Sequence, residues 1–274
     1  MKEIIAAFMF FTRLPLGHIC QIPAGSFKRI VAYWPLTGLI TGGLMTAVYL
    51  LAIHLHLHIL IAVILAFASR LLLTGALHED GLADFFDGFG GGRTREQVLI
   101  IMKDSHSGSY GVLGLILYIL MWISSVFILV QFFKGYEFIL FFTCDIWSKW
   151  CASQIINVLP YARKEEESKI RTTYERMSRG RFVIGFVCGI IPFLVLPAFK
   201  NFGNNAQLSI LGFPFTSGFL AMIAGAVIPF VLMLLLTHYM KRRIGGYTGD
   251  CCGALFLLCE LSYLLTLNSL WTFI

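Results

Sequence analysis

The sequence predicts an all-α protein of the membrane, a polytopic bundle of about seven transmembrane helices. Hydrophobic residues make up 58% of the 274-residue chain and charged residues 13%, and the mean hydropathy is +0.80. An ordinary soluble domain carries about 25% charged residues, so this chain cannot cover itself with polar surface in water. Its apolar stretches do not alternate in polarity as the strands of a membrane barrel do, and this favours helices.

Seven apolar stretches approach the ~20 residues that a helix needs to cross a bilayer. They lie at about 31–53, 59–77, 110–132, 137–159, 183–199, 217–237 and 251–271. Before them, residues 1–15 are apolar but too short to span, which indicates an interfacial or re-entrant helix that ends at Pro15. No linker, repeat or soluble stretch interrupts the pattern, so we expect one membrane catalytic domain over residues 1–274. The seven cysteines form no CxxC pair and are interpreted as small packing residues.

Most basic residues lie on one side of the membrane in this predicted topology. If the N-terminus is inside, the inner segments 1–30, 78–109, 160–182 and 238–250 hold 17 of the 21 Lys and Arg. The positive-inside rule then predicts an integral protein of the cytoplasmic (inner) membrane, with the N-terminus and the active site on the cytoplasmic side. The formal charge of +6 follows from this orientation and from contact with membrane lipids, and nucleic acid is not an expected partner.

The densest acidic cluster follows the second apolar stretch. Asp80, Asp84 and Asp87 are spaced i, i+4 and i+7, so a helix places all three carboxylates on one face, and Glu79 adds a fourth acid. Like charges at this spacing repel one another unless a cation lies between them. Mg²⁺, with Mn²⁺ as the alternative, prefers oxygen ligands and often binds together with substrate phosphates. The cluster therefore predicts a divalent-metal site and phosphate chemistry.

Two other polar segments lie on the same predicted face. Residues 103–111 combine a cation, hydroxyls, a histidine and glycines before a helix, which suits a phosphate, although a plain turn capped by Asp104 or Ser105 explains them nearly as well. Residues 241–250 combine three cations with three glycines before Asp250; the alternatives are a stop-transfer anchor and an N-cap. Within the spans, Asp145 with Lys149 and Arg70 with Glu260 are candidate ion pairs.

These residues resemble a known family. Residues 75–88 (GALHEDGLADFFDG), 102–111 (MKDSHSGSYG) and 245–250 (GGYTGD) are similar to three signatures of cobalamin (5′-phosphate) synthase, also called adenosylcobinamide-GDP ribazoletransferase. FTRLP at 11–15 and YAR at 161–163 match two shorter ones. The resemblance runs in order from about residue 8 to 262.

The resemblance implies a Mg²⁺-requiring transferase of late vitamin B12 synthesis. A ribose hydroxyl of α-ribazole, or of its 5′-phosphate, would attack the cobinamide-linked phosphorus of adenosylcobinamide-GDP and release GMP. The expected partners are therefore a corrinoid nucleotide and α-ribazole, with homo-oligomerisation as a further expectation. The metal would be held by Glu79, Asp80, Asp84 and Asp87, and the catalytic base would be Asp104 or Asp250. Expected substrate contacts come from Arg13, His78, Lys103, Ser105, His106, Arg242, Arg243 and Thr248.

The chain departs from the family pattern at His106 and Lys149, where arginine is common, and after Arg163, where the usual Gly-Leu-Gly is missing. Within enzymes, the alternatives are a CDP-alcohol phosphotransferase, whose third Asp gap is longer, and a UbiA-type prenyltransferase, which needs two Asp-rich motifs. From another class, a secondary transporter would explain the buried charges, but it places them near the midplane and often carries inverted repeats.

Overall fold

The computed structural model describes residues 1–104, 106–133, 135, 137–163, 174–195, 207–210 and 213–271. Helices dominate these residues. The α-helices are α1 Lys2–Phe11, α2 Trp34–His54, α3 Ile59–Thr74, α4 Leu77–Gly91, α5 Arg95–Ile101, α6 Ser109–Phe132, α7 Glu137–Ser153, α8 Ile155–Val158, α9 Arg179–Val195, α10 Ser217–Ile244 and α11 Gly249–Trp271. Two 3-10 helices, Leu16–His18 and Ala24–Tyr33, precede α2. A short antiparallel hairpin of β1 Gln207–Ile210 and β2 Phe213–Thr216 connects α9 to α10.

Each of the seven predicted spans overlaps one long helix: α2, α3, α6, α7, α9, α10 and α11. Four helical segments in the described part of the chain are long and apolar enough to cross a membrane: 24–54, 109–132, 223–244 and 249–270. A fifth crossing arises if the bent pair of α3 and α4 is one broken span. The membrane-helix class is therefore confirmed, whereas the count of seven is not, because α3, α7 and α9 have only 16 or 17 residues.

A sharp break separates α3 from α4. Gly75 and Ala76 both adopt left-handed backbone conformations, with φ of 68° and 56°, and the two helix axes meet at 89°. Glycine adopts this conformation without strain, whereas alanine rarely does. The segment that follows α1 contacts the end of α3 beside this break: the backbone N–H of Arg13 donates to the carbonyl of Leu73 (2.7 Å). The acidic segment therefore forms a separate helix across the end of α3.

Helix α11 lies at the centre of the bundle and packs against α4, α6, α7 and α10. Of the residues in its most apolar stretch, 78% are buried. Close packing is possible because it carries small residues, among them the buried Cys251, Cys252 and Cys259. All seven cysteines are free, and five are buried, so their predicted role as packing residues is confirmed.

Of two buried ion pairs, one connects α11 to α3 and the other lies within α7. Arg70 of α3 bonds Glu260 of α11 (2.5 Å) and Tyr118 of α6 (3.0 Å), and the tyrosine hydroxyl donates to the other oxygen of Glu260 (2.7 Å). Lys149 pairs with Asp145 one turn earlier in α7. Both predicted pairs are confirmed, and each neutralises charges that would be costly in hydrocarbon.

Candidate functional site

Helices α4 and α11 touch at two glycines in their first turns. A Cβ atom at Gly81 would lie 3.1 Å from the backbone of Asp250, and one at Gly253 would lie 3.0 Å from the carbonyl of His78. Only residues without side chains permit this approach. As a result the first turns of the two helices, with Asp80 and Asp250, lie side by side.

A cavity of about 150 Å³ lies at this contact. Its polar lining comes from His78, Asp80, Arg163 and Asp250, and its walls are aromatic: Phe10, Phe11, Trp34, Tyr161 and Tyr174. A wider cleft of about 800 Å³ is lined by Arg13, Glu79 and again Asp80. Asp80 therefore belongs to the lining of both spaces.

Arg163 reaches the cavity because two distant segments pair. Tyr161 and Tyr247 form a parallel bridge, in which the N–H of Tyr247 donates to the carbonyl of Pro160 (3.0 Å) and that of Ala162 donates to Tyr247 (2.8 Å). Arg95 holds the pairing in place by donating to the carbonyls on either side, Ile244 (2.9 Å) and Ala162 (2.8 Å). Residues 161–163 match a short family motif in the sequence, but the sequence alone does not place Arg163 at the site.

Two phenols next to the cavity stay in their hydrogen-bond-donating form. Burial raises the pKa of Tyr174 well above its ordinary value, and burial also raises the pKa of Tyr247. Neither residue was predicted to belong to the site. For Tyr174 the sequence offered no signal, because it follows a stretch of sequence rich in charged residues and precedes α9.

The acidic segment is helical as predicted, but its carboxylates diverge. Asp80 is exposed and Asp84 half-buried. Asp87 is buried, and its two oxygens accept the backbone N–H groups of Gly108 (2.7 Å) and Gly111 (2.8 Å). Glu79 is buried with one oxygen 3.5 Å from Arg70. In the described parts of the chain, no group of three or more His, Cys, Asp and Glu side chains could hold a metal ion.

A site with fewer protein ligands is compatible with this arrangement. Mg²⁺ commonly binds through one or two carboxylates and completes its shell with water and substrate phosphates. Asp80 and Asp250 line one cavity and supply that number of carboxylates. The donor set therefore fits a hard divalent cation shared with a phosphate, but it does not form the four-carboxylate cluster that the spacing predicted.

The sequence left a phosphate site and a plain turn as alternatives for the 103–111 segment. Two backbone amides at the N-terminus of α6, those of Gly108 and Gly111, bind the Asp87 carboxylate. Lys103, Asp104 and His106 are exposed and line neither the cavity nor the cleft, and His106 Nδ1 lies 2.7 Å from Asp104. Ser105 lies outside the described residues.

In the 241–250 segment, some side chains stabilise the fold and Asp250 lies at the cavity. Arg243 donates to the carbonyl of Gly92 at the end of α4 (2.6 Å), while Arg242 is exposed. Thr248 is fully buried, and its hydroxyl accepts the N–H of Cys251 (3.3 Å). Thr248 therefore caps α11, and its hydroxyl also lies 3.3 Å from Oδ2 of Asp250, the residue that lines the cavity.

The two remaining predicted substrate contacts differ in accessibility. Arg13 is exposed at the cleft, with its guanidinium against Gly75. His78 is buried, with its ring 5.3 Å from that of Trp34 and 5.0 Å from that of Phe256, and its Nε2 has no hydrogen-bond partner among the described residues. A buried ring nitrogen without a partner beside a cavity is available to a ligand.

The fold and the cavity define a helical membrane protein with a site of carboxylates, an arginine and aromatic walls at two helix N-termini. Residues 3–268 match the model of the cobalamin-5-phosphate synthase family. The chain belongs to this family. An adenosylcobinamide-GDP ribazoletransferase of Leptospira interrogans is 31% identical over 98% of this chain and 96% of its own length. One of Shewanella oneidensis is 34% identical over 95% and 92%. No solved structure matches the chain.

Proposed function

We propose that the chain is an adenosylcobinamide-GDP ribazoletransferase that works at the cavity between α4 and α11. It joins adenosylcobinamide-GDP to α-ribazole or its 5′-phosphate, giving adenosylcobalamin or its phosphate and GMP. One observation carries the placement of the reaction: Asp80, Asp250 and Arg163 come from three distant family motifs and line the same cavity. Chemistry at phosphorus needs these three kinds of group, a metal ligand, a base and a cation.

Substrate binding follows from charge and shape. Arg163 at the cavity and Arg13 at the cleft supply cations for the pyrophosphate, and guanidinium groups bind phosphate oxygens in pairs. The N-termini of α4 and α11 add partial positive charge beside Asp80 and Asp250. The aromatic wall is suited to the flat ring systems of a nucleotide or of the α-ribazole base.

The transfer itself requires a proton acceptor. In the proposed step the ribose hydroxyl oxygen of the acceptor forms a bond to the cobinamide-linked phosphorus, the bond from phosphorus to the GMP oxygen breaks, and the hydroxyl proton passes to Asp250. Asp250 is preferred over Asp104 because it lines the cavity, whereas Asp104 is exposed outside it and is held by His106. The arginines also position the two substrates relative to each other, which lowers the barrier of the transfer.

The metal belongs to the same proposal. Asp80 would hold Mg²⁺, or Mn²⁺, with Asp84, one helical turn away on α4, as a second candidate ligand, while Asp250 serves as the base. When bound, the cation neutralises charge on the pyrophosphate and on the leaving GMP. Removal of divalent cations with EDTA should abolish turnover and Mg²⁺ should restore it. An Asp80→Asn variant should need a higher Mg²⁺ concentration for half-maximal rate; an unchanged Mg²⁺ dependence would remove Asp80 from the metal site.

Orientation and span number also remain proposals. The excess of Lys and Arg on one side supports a cytoplasmic active site in the inner membrane, with α3, α7 and α9 as the three additional spans. Cysteine labelling from each side of sealed vesicles tests this. A cysteine introduced at Arg93, near the active-site end, should react only from the cytoplasmic side, and labelling from outside would reverse the topology. Homo-oligomerisation stays a prediction.

The activity is tested directly with purified protein in lipid nanodiscs. Adenosylcobinamide-GDP, α-ribazole 5′-phosphate and Mg²⁺ are supplied, and GMP and the corrinoid product are measured by chromatography. Stoichiometric release of GMP with formation of the nucleotide loop supports the proposal. Folded protein that releases no GMP would refute it, and turnover of CDP-diacylglycerol with an alcohol would instead assign a phospholipid-synthesising transferase.

A further inference from the structure

An amphipathic cleft of about 700 Å³ lies away from the cavity, between the end of α7 and helices α9 and α10. This volume is in the range of small-molecule sites, about 300–1,000 Å³. Its walls are mainly apolar, with Trp150, Phe182, Phe230, Met233 and Leu234 among the lining residues. Phe182 and Leu234 are 40% and 46% exposed, so the apolar part opens to the lipid-facing side of the bundle.

Two arginines line one end of this cleft, Arg176 and Arg179. Both are exposed, and neither forms a salt bridge or hydrogen bond with any described residue. The acids nearby are already engaged by other bases. Glu3 pairs with Arg29 and Arg181 (3.2 and 3.1 Å), and Glu175 pairs with Arg29 (2.7 Å).

Among the described residues, these contacts leave positive charge without an acidic partner where the apolar walls begin. Arg29, Arg176, Arg179 and Arg181 face only two acids in the described parts of this region, an excess of two positive charges. Arg179 is also the first residue of α9, whose N-terminus carries partial positive charge. An anion is therefore the complement of this end.

We propose that this cleft is a specific site for one anionic diacyl phospholipid. The phosphate lies between Arg176 and Arg179, and the acyl chains follow the apolar walls between α9 and α10. Basic residues at a membrane surface attract anionic lipid in general. This cleft adds an apolar chamber of limited volume beside two arginines, which makes the binding selective for a single lipid molecule.

Native mass spectrometry of the full chain tests the proposal with two probes of identical acyl chains, phosphatidylglycerol and phosphatidylethanolamine. The wild type should bind one phosphatidylglycerol more tightly than phosphatidylethanolamine. Arg176→Gln and Arg179→Gln should each weaken phosphatidylglycerol about fivefold. Arg93→Gln removes one exposed charge outside the cleft and should change neither affinity.

Equal affinity of the wild type for the two lipids would overturn the proposal, as would unchanged phosphatidylglycerol binding in the double arginine variant. An equal loss in Arg93→Gln would also overturn it, because the attraction would then be a diffuse charge effect. Both arginines are exposed, so their variants should unfold at the wild-type temperature, and this separates lost binding from lost structure.

Discussion

The buried pair of Arg70 and Glu260 should be the most sensitive electrostatic contact in the bundle. Both side chains are at most 1% exposed, and Nη1 lies 2.5 Å from Oε1. Glu260→Gln keeps the shape of the side chain but leaves the guanidinium charge without its main partner. Breaking a buried pair from one side costs about 3–5 kcal/mol. Glu79, 3.5 Å from Arg70, remains and recovers part of this, so we expect a loss near the lower limit, about 3 kcal/mol.

Thermal unfolding in one detergent, followed by tryptophan fluorescence, measures this loss. A chain of this size changes its Tm by about 2–4 °C per kcal/mol, so Glu260→Gln should unfold about 6–12 °C below the wild type. The matched control is Glu175→Gln, which breaks a pair whose side chains are 41% and 45% exposed. Exposed pairs contribute about 0–1 kcal/mol, so this control should stay close to the wild type.

A double replacement separates charge from packing. Arg70→Met with Glu260→Met removes both charges together, and well-packed apolar replacements of a buried pair are often neutral or stabilising. The double variant should therefore unfold at a higher temperature than Glu260→Gln alone. If Glu260→Gln unfolds within 2 °C of Glu175→Gln, roughly the limit that a sub-kcal/mol effect would produce, the assignment of a costly unpaired charge is refuted.

Three further predictions concern the cavity and the N-terminal helix. Gly246→Ala places a Cβ against the carbonyl of Pro160 and should separate the paired segments, lowering kcat at least tenfold, whereas Gly25→Ala, with open space around it, should leave kcat unchanged. Arg163→Gln should raise the KM for adenosylcobinamide-GDP about tenfold or more, since a charge-assisted hydrogen bond to phosphate is lost. Although partial burial opposes it, two arginine partners lower the pKa of Glu3 below its ordinary 4.5. The stability that Glu3 contributes is therefore present at neutral pH and is lost as the pH falls through its lowered pKa, so the Tm deficit of Glu3→Gln should be smaller at about pH 3 than at pH 7.

Each of these outcomes can fail on its own. Full activity of Gly246→Ala would mean that the paired segments do not shape the site. An unchanged KM in Arg163→Gln would remove this side chain from phosphate binding. A Tm difference for Glu3→Gln that is the same at both pH values would show that packing, not ionisation, is responsible.

The sequence was sufficient for the elements whose signal is local. Composition predicted membrane helices, and the i, i+4, i+7 spacing predicted a helix over the acidic segment, which α4 confirms. Charge inside apolar stretches predicted that Arg70 and Glu260 either pair or face a polar cavity, and the structure shows the pair. Each inference needed only short-range pattern or a strong energetic penalty.

The remaining features depend on contacts between distant segments. The spacing of the acids could not show that backbone amides of α6 bind Asp87, since amide donors have no side-chain signature. Arg163 enters the cavity only because residues 160–162 pair with 246–247. The break after α3 uses a left-handed alanine at position 76, a conformation that the residue type disfavours. The sequence likewise could not show that Asp80 and Asp250 lie side by side.

The rate of GMP release in two aspartate variants tests the central claim most directly. Asp250→Asn, inside the cavity, should release GMP from adenosylcobinamide-GDP about 10²–10⁴-fold more slowly than the wild type, the usual effect of removing a catalytic base. Asp104→Asn, exposed outside the cavity, should keep most of the wild-type rate. Thermal unfolding of both variants confirms that they are folded. A near-normal rate for Asp250→Asn together with a large loss for Asp104→Asn would contradict the placement of the reaction between α4 and α11.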